Sequence, residues 1–159
     1  MTSNLVTLNA AEIRIVTWVA RQRFAANRAA GVVDAQVGPQ EASETDLYGF
    51  GGELAFAKLF NVYPDFDIAP RRGSADCERF AERIDVKTTL YPHGRLLALP
   101  RKRELAADVY ALMVVDWPTY RFAGFARAEE LLQPWHVIDL GYGNTYGVTQ
   151  DALTPAQLR

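Results

Sequence analysis

Cysteine is nearly absent from this chain. Cys77 is the only one, so no internal disulfide can form. One Cys with two His, His93 and His136, does not comfortably supply the ligands of a zinc site. Long apolar runs are also missing. The longest uncharged one, Val109 to Val115, is too short to span a bilayer. Met1 to Asn9 has neither the basic start nor the apolar stretch of a signal peptide, and the expectation is a soluble, cytoplasmic protein with no membrane contact. Lysine is scarce: 14 of the 17 basic residues are Arg. No strong net charge marks a general nucleic-acid binder, since the formal charge is −2. What remains is ordinary globular composition, 49% hydrophobic and 23% charged over 159 residues, which fits one domain and excludes disorder, collagen and coiled coil as the main state.

The charges are not evenly spread. Asp34 to Glu53 holds five acids and no base, whereas Arg71 to Arg103 holds nine bases and four acids. Arg suits bidentate phosphate contacts. A GC-rich genome would enrich Arg as well, but would not cluster it. Asn9 and Glu12 form a capping-box pattern that opens a helix over residues 10–30, closed by Gly31. Thr45 or Asp46 can cap a second helix over 47–60, apolar almost all round and therefore buried. A short strand is expected at 66–69. Two more, at 76–80 and 83–89, are joined by a tight turn, and another lies at 96–99. Residues 101–107 read as a helical turn. Residues 109–116 are the clearest buried strand, paired as a hairpin with 120–126. A short helix follows over 127–132. The tail from 134 is Gly-rich and ends in a weak helix. This order predicts an α/β or α+β domain over 1–159, its core at about 46–133, with a central mixed sheet flanked by helices.

Three features carry chemistry. Glu53 is the only acid between Leu47 and Leu59, on a helix that otherwise looks buried. A carboxylate there is costly unless it is paired or holds a metal; Lys58 or a distant Arg could pair it. Gly51 and Gly52 weaken the same helix and suggest that another element passes close by. In Ile84-Asp85-Val86-Lys87, alternation puts Ile84 and Val86 on one face and the charged pair on the other. Asp-x-Lys alone is weak and equally suits the solvated face of an edge strand. Asp76 precedes Asp85 by nine positions, so strand pairing can bring the two carboxylates together. A hard divalent cation relieves the repulsion between such acids.

In order and spacing these residues resemble the PD-(D/E)XK nuclease superfamily, most of all its small phage and prophage members. The resemblance covers about Tyr48 to Arg127. It rests on Gly52-Glu53-Leu54-Ala55, on Asp76, on Asp85-Val86-Lys87 with Thr88-Thr89 behind it, and on the apolar strand from Asp108 to Val115. It implies a restriction-endonuclease-like core and a Mg²⁺- or Mn²⁺-dependent endonuclease acting on DNA. Asp76, Asp85 and the Val86 carbonyl would hold the cation. Glu53 would hold a second one or orient the first, and Lys87 would position or deprotonate water and stabilise transition-state charge. The literal Pro-Asp pair is Pro64-Asp65, with Asp67 close behind; either acid could stand in for Asp76. Arg71, Arg72, Arg95, Arg101, Lys102 and Arg103 could track a phosphate backbone or form an ordinary solvated surface.

The other signals are softer. His93 reads as a surface residue and His136 as structural. Trp18, Trp117 and Trp135 read as core or interface residues. Gly49-Phe50-Gly51-Gly52 lacks the Lys and Ser/Thr of a nucleotide-binding loop. The competing expectation is a non-catalytic DNA-binding or host-interacting protein on the same fold, favoured by the acidic loop and the net charge. Oligomeric state, including a homodimer, stays open.

Overall fold

The computed structural model describes residues 3–31, 41–70, 75–100 and 107–155. Strand β1 (Leu5–Thr7) leads into helix α1 (Ala10–Ala29), and both halves of the capping box are made: Glu12 N–H donates to Asn9 Oδ1, and Asn9 N–H donates to Glu12 Oε2. Helix α2 (Ala42–Phe60) starts a turn earlier than its apolar pattern suggests, and no side chain caps it at Glu41. Its end is clear. Asn61 adopts a left-handed φ of 53°, and its N–H returns to Ala57 and Lys58 carbonyls. Residues 66–69 form no strand.

β2 (Cys77–Arg79) and β3 (Glu82–Thr89) are an antiparallel hairpin turned by Phe80 and Ala81, both at positive φ as a two-residue mirror-type turn requires. β4 (Leu96–Ala98) leaves this sheet. β5 (Val109–Asp116) then returns parallel to β3, with Asp85 opposite Tyr110 and Lys87 opposite Leu112. β6 (Thr119–Arg127) runs back against β5, and β1 pairs with β6, giving the order β1-β6-β5-β3-β2. The chain is therefore α+β around a mixed sheet. Helix α3 is only Ala128–Leu131. The expected helical turn at 101–107 and the terminal helix lie almost wholly outside the described residues.

The tail departs from expectation. β7 (Val137–Asp139) and β8 (Asn144–Val148) join β4 in a second sheet of order β4-β8-β7. The main sheet is thus covered differently on its two faces. On one, α2 lies against Ile84, Val86, Ala111 and Met113, with Val16 and Val19 of α1 behind it. On the other, Tyr110 and Leu112 pack with Leu96, Ala98, Tyr146 and Val148 of the small sheet and Leu131 of α3. The long helices α1 and α2 flank one face, and the small sheet with α3 covers the other.

The paired glycines explain how closely α2 sits. A Cβ on Gly51 would come 2.1 Å from the Tyr120 hydroxyl, and one on Gly52 would come 2.0 Å from Thr88 Oγ1. Among the described residues no hydrogen bond satisfies Thr88 Oγ1, so the hydroxyl is pressed against bare helix backbone. Gly52→Ala should destabilise the protein by about 1–3 kcal/mol through overpacking, read as a lower denaturant midpoint. Thr88→Ala in the same chain should recover part of that loss; no recovery would mean that the helix is set by something else.

Candidate active site

Alternation along β3 sends Ile84 and Val86 into the helix-covered core and Asp85 and Lys87 to the opposite face. Asp85 is only 5% exposed, and Lys87 Nζ donates to its Oδ1. Asp76 stands just before β2. Its N–H donates to the Ile84 carbonyl at 2.9 Å, continuing the ladder by one bond, and its Oδ2 accepts the Val86 N–H at 2.7 Å. A strand residue presents its N–H and C=O to the same edge. The Val86 carbonyl therefore lies on the edge that Asp76 occupies.

Glu53 reaches this region from α2. It does not come from the sheet face that bears Asp85 and Lys87: α2 covers the face of Ile84, Val86 and Thr88. Glu53 and Asp85 each act electrostatically on Asp76, which stands at the sheet edge beside Val86. Burial first, then the charges of Glu53 and Asp85, hold the Asp76 carboxyl well above its ordinary range; Lys87 and the Val86 N–H only partly offset this. The same surroundings, burial foremost and then Asp76 and Glu53, push the Cys77 thiol up to about 12. Lys87 is pulled two ways. Burial favours its neutral amine, but the carboxylates of Asp85 and Asp76 win, and its pKa is raised.

The partner of Glu53 is Arg23 of α1, whose Nη1 lies 3.1 Å from Glu53 Oε2. The same guanidinium donates to the Asp65 carbonyl at 2.7 Å and the Asp67 carbonyl at 2.9 Å, and lies 4.6 Å over the Phe50 ring. Arg23 thus clamps α1, α2 and the segment after α2 together. Sequence reasoning missed it. Arg14, Arg21 and Arg28 recur every seven residues along α1, and Arg23 falls outside that row, which was the available signal. Lys58, a candidate partner for Glu53, instead pairs with Glu12 at 2.8 Å.

Asp65 and Asp67 make local turns: Asp65 Oδ1 accepts the Asp67 N–H and Asp67 Oδ1 the Ala69 N–H. Asp76 is the acid whose side chain accepts the Val86 N–H on the strand that bears Asp85 and Lys87. A cavity of about 670 Å³ opens between that segment and β2, with Asp65, Asp67, Asp76 and Glu78 in its walls. Tyr110, on the Asp85 face of β5, carries a buried hydroxyl with no hydrogen-bond partner among the described residues. Sequence reasoning missed this residue too; inside an apolar strand it carried no signal.

Among the described residues, no group of three or more His, Cys, Asp and Glu side chains is gathered to hold an ion. Asp85 is engaged by Lys87 and Glu53 by Arg23. The donor chemistry nevertheless suits a hard cation: the carboxylates of Glu53, Asp76 and Asp85 and the Val86 carbonyl are all oxygen donors, and, after burial, the first and third raise the Asp76 pKa.

Arg95 is exposed, and Arg71, Arg72, Arg101, Lys102 and Arg103 lie outside the described residues. His93 is exposed, while His136 Nδ1 is 3.2 Å from the Leu131 carbonyl, a structural contact. Trp117 is half-buried and packs edge-on against Tyr48 and Tyr120, whereas Trp18 and Trp135 are exposed. No helix among the described residues is long and apolar enough to cross a membrane.

The model of a protein family of unknown function, DUF5843, matches residues 2–154. The chain belongs to DUF5843. No curated protein and no solved structure matches this DUF5843 member.

The raised Asp76 carboxyl has a stability consequence with a definite sign. The folded state keeps this proton to higher pH than the unfolded chain, whose value is near 3.8. Stability from this group is therefore full at low pH and declines as pH rises from the ordinary Asp value through the folded one. In EDTA, Asp76→Asn should be more stable than the parent at about pH 8, with the gain shrinking toward about pH 4, because Asn keeps an acceptor for Val86 and removes the charge. Denaturant titrations at both pH values check this; a variant that gains nothing at the higher pH would contradict the crowding of charge.

Proposed function

We propose that this DUF5843 member is a metal-dependent phosphodiesterase acting on DNA, a nuclease of the PD-(D/E)XK type with a restriction-endonuclease-like core. One observation carries the proposal: Asp76 is lodged on the open edge of β3 beside Val86, in the combined field of Glu53, Asp85 and Lys87. Acids crowded until one resists ionisation, with an ammonium beside them, suit an anionic phosphodiester joined by a cation. They do not suit a plain phosphate-binding surface.

Asp76, Asp85, Glu53 and the Val86 carbonyl would hold Mg²⁺ or Mn²⁺. Such an ion, when bound, neutralises phosphate charge and lowers the pKa of a coordinated water. The remaining chemistry belongs to the chain. Lys87 keeps its proton, since its pKa is raised, and so serves as a charged donor to the developing phosphorane-like oxygens. Of the two roles open to it, charge stabilisation is thus favoured over proton abstraction. Arg23 orients Glu53 through an ion pair that also fixes the neighbouring segment. The alternative, a non-catalytic DNA-binding or host-interacting protein on the same fold, gains from one fact: Asp85 and Glu53 each already have a cationic side-chain partner.

The test is incubation with single-stranded, duplex and branched DNA in Mg²⁺, Mn²⁺ and EDTA. Cleavage should need the metal. Lys87→Ala should lower the rate by about 10²–10³, as loss of one preorganised donor does, while DNA binding changes little. Full cleavage by Lys87→Ala at saturating metal would remove Lys87 from the mechanism. No cleavage of any form by the parent protein would favour the non-catalytic alternative.

A further inference from the structure

The cavity beside Asp76 has an aromatic rim that the nuclease proposal leaves unused. Tyr63 is 84% exposed, and its ring meets Phe66 edge-on at 5.9 Å. Phe66, itself 37% exposed, meets the buried Phe50 edge-on at 6.1 Å. Through Phe66 the rim is therefore tied to the core, while Tyr63 offers an open face to solvent. Arg23 steadies the segment from behind by bonding to the Asp65 and Asp67 carbonyls. A large exposed ring with this backing is a platform, and its cavity continues into the walls formed by Asp67, Asp76 and Glu78.

Charge decides what can enter. Among the described residues, the one basic side chain in the wall, Arg83, is held by Asp108 through two bonds, Nη2 to Oδ1 at 2.9 Å and Nε to Oδ2 at 3.1 Å, and is neutralised there. The described part of the wall is thus rich in carboxylate acceptors. The cavity accepts a group that is flat, has an apolar face and carries N–H donors at its rim. Asp67 spends one oxygen, Oδ1, on the Ala69 N–H, and as an acceptor it matches exocyclic amino groups. The geometry points to an unpaired nucleobase, stacked on Tyr63 with its N–H edge toward these carboxylates, as the occupant of this cavity. This rests on the nuclease proposal and narrows its substrate to a strand with unpaired bases, because a paired base in a duplex offers neither its face nor its full donor edge. The cavity shares Asp76 with the site on β3, so the base would lie next to the phosphate to be cleaved.

The test measures binding in EDTA, where no cleavage occurs, by anisotropy of labelled deoxyoligonucleotides. Three probes of one length are used: a single strand, a blunt duplex, and a strand that is abasic throughout. The full-length protein should prefer the single strand to both others. Tyr63→Ala should weaken single-strand binding roughly 5- to 100-fold, as loss of one base–aromatic stack does, and leave duplex and abasic binding unchanged. Tyr63→Phe should restore the affinity. Because Tyr63 is exposed, its truncation removes no core contact. Equal affinity for all three probes, or no effect of Tyr63→Ala, would overturn the base pocket. Metal-dependent cleavage separates the two claims. Cleavage of the single strand by Tyr63→Ala at the parent rate removes the pocket and keeps the nuclease. Tyr63-dependent strand binding with no cleavage in any metal keeps the pocket and removes the nuclease.

Discussion

The hydrogen bond from the Val86 N–H to Asp76 Oδ2 stands where β2 stops pairing with β3. Beyond Ile84 the edge of β3 would present its backbone to solvent or to nothing. A carboxylate takes the place of the missing strand. That exchange brings an ionisable side chain, and not another backbone, against the strand that bears Asp85 and Lys87. The remaining features of the site follow from it. The Val86 carbonyl shares the edge, and the field of Glu53 reaches the same point from the helix side. The raised Asp76 carboxyl is the sum of these neighbours and of burial.

Helix position is the second constraint. Gly51 and Gly52 let α2 settle against Tyr120 and Thr88, a closeness that any Cβ would prevent. The close approach puts Glu53, next in sequence, near the sheet edge with its carboxylate held by Arg23. Arg23 also holds the segment that walls the cavity. One guanidinium therefore links the helix acid to the surface proposed to receive a base.

Much of this was legible in the sequence, for identifiable reasons. β5 was evident because seven apolar residues can form a strand buried on both faces, and both faces are indeed covered. The glycine pair predicted a close neighbour, and the alternation of Ile84 to Lys87 predicted two faces. Which face α2 would take was not legible, since alternation divides a strand without saying what covers each side. The first turns of α2 were missed because Ser43, Glu44 and Thr45 are exposed and carry no apolar period. β7 and β8 were missed because both are short and Gly141 and Gly143 interrupt the region between them. Arg23 as the partner of Glu53 is a tertiary fact, thirty residues away in sequence. The local turns of Asp65 and Asp67, and the bond from the Val86 N–H to Asp76, became visible only in three dimensions.

The central claim is that the acids around Val86 form a cation site and not merely a set of internal ion pairs. Calorimetric titration with Mn²⁺ tests it most directly, on the parent protein, on Asp85→Asn and on Asp76→Asn. The account predicts saturable binding by the parent, with protons released from the raised Asp76 carboxyl as the ion enters. Asp85→Asn should bind much more weakly, and Asp76→Asn should lose both affinity and proton release. Equal Mn²⁺ binding by all three proteins, or none by the parent, would contradict it.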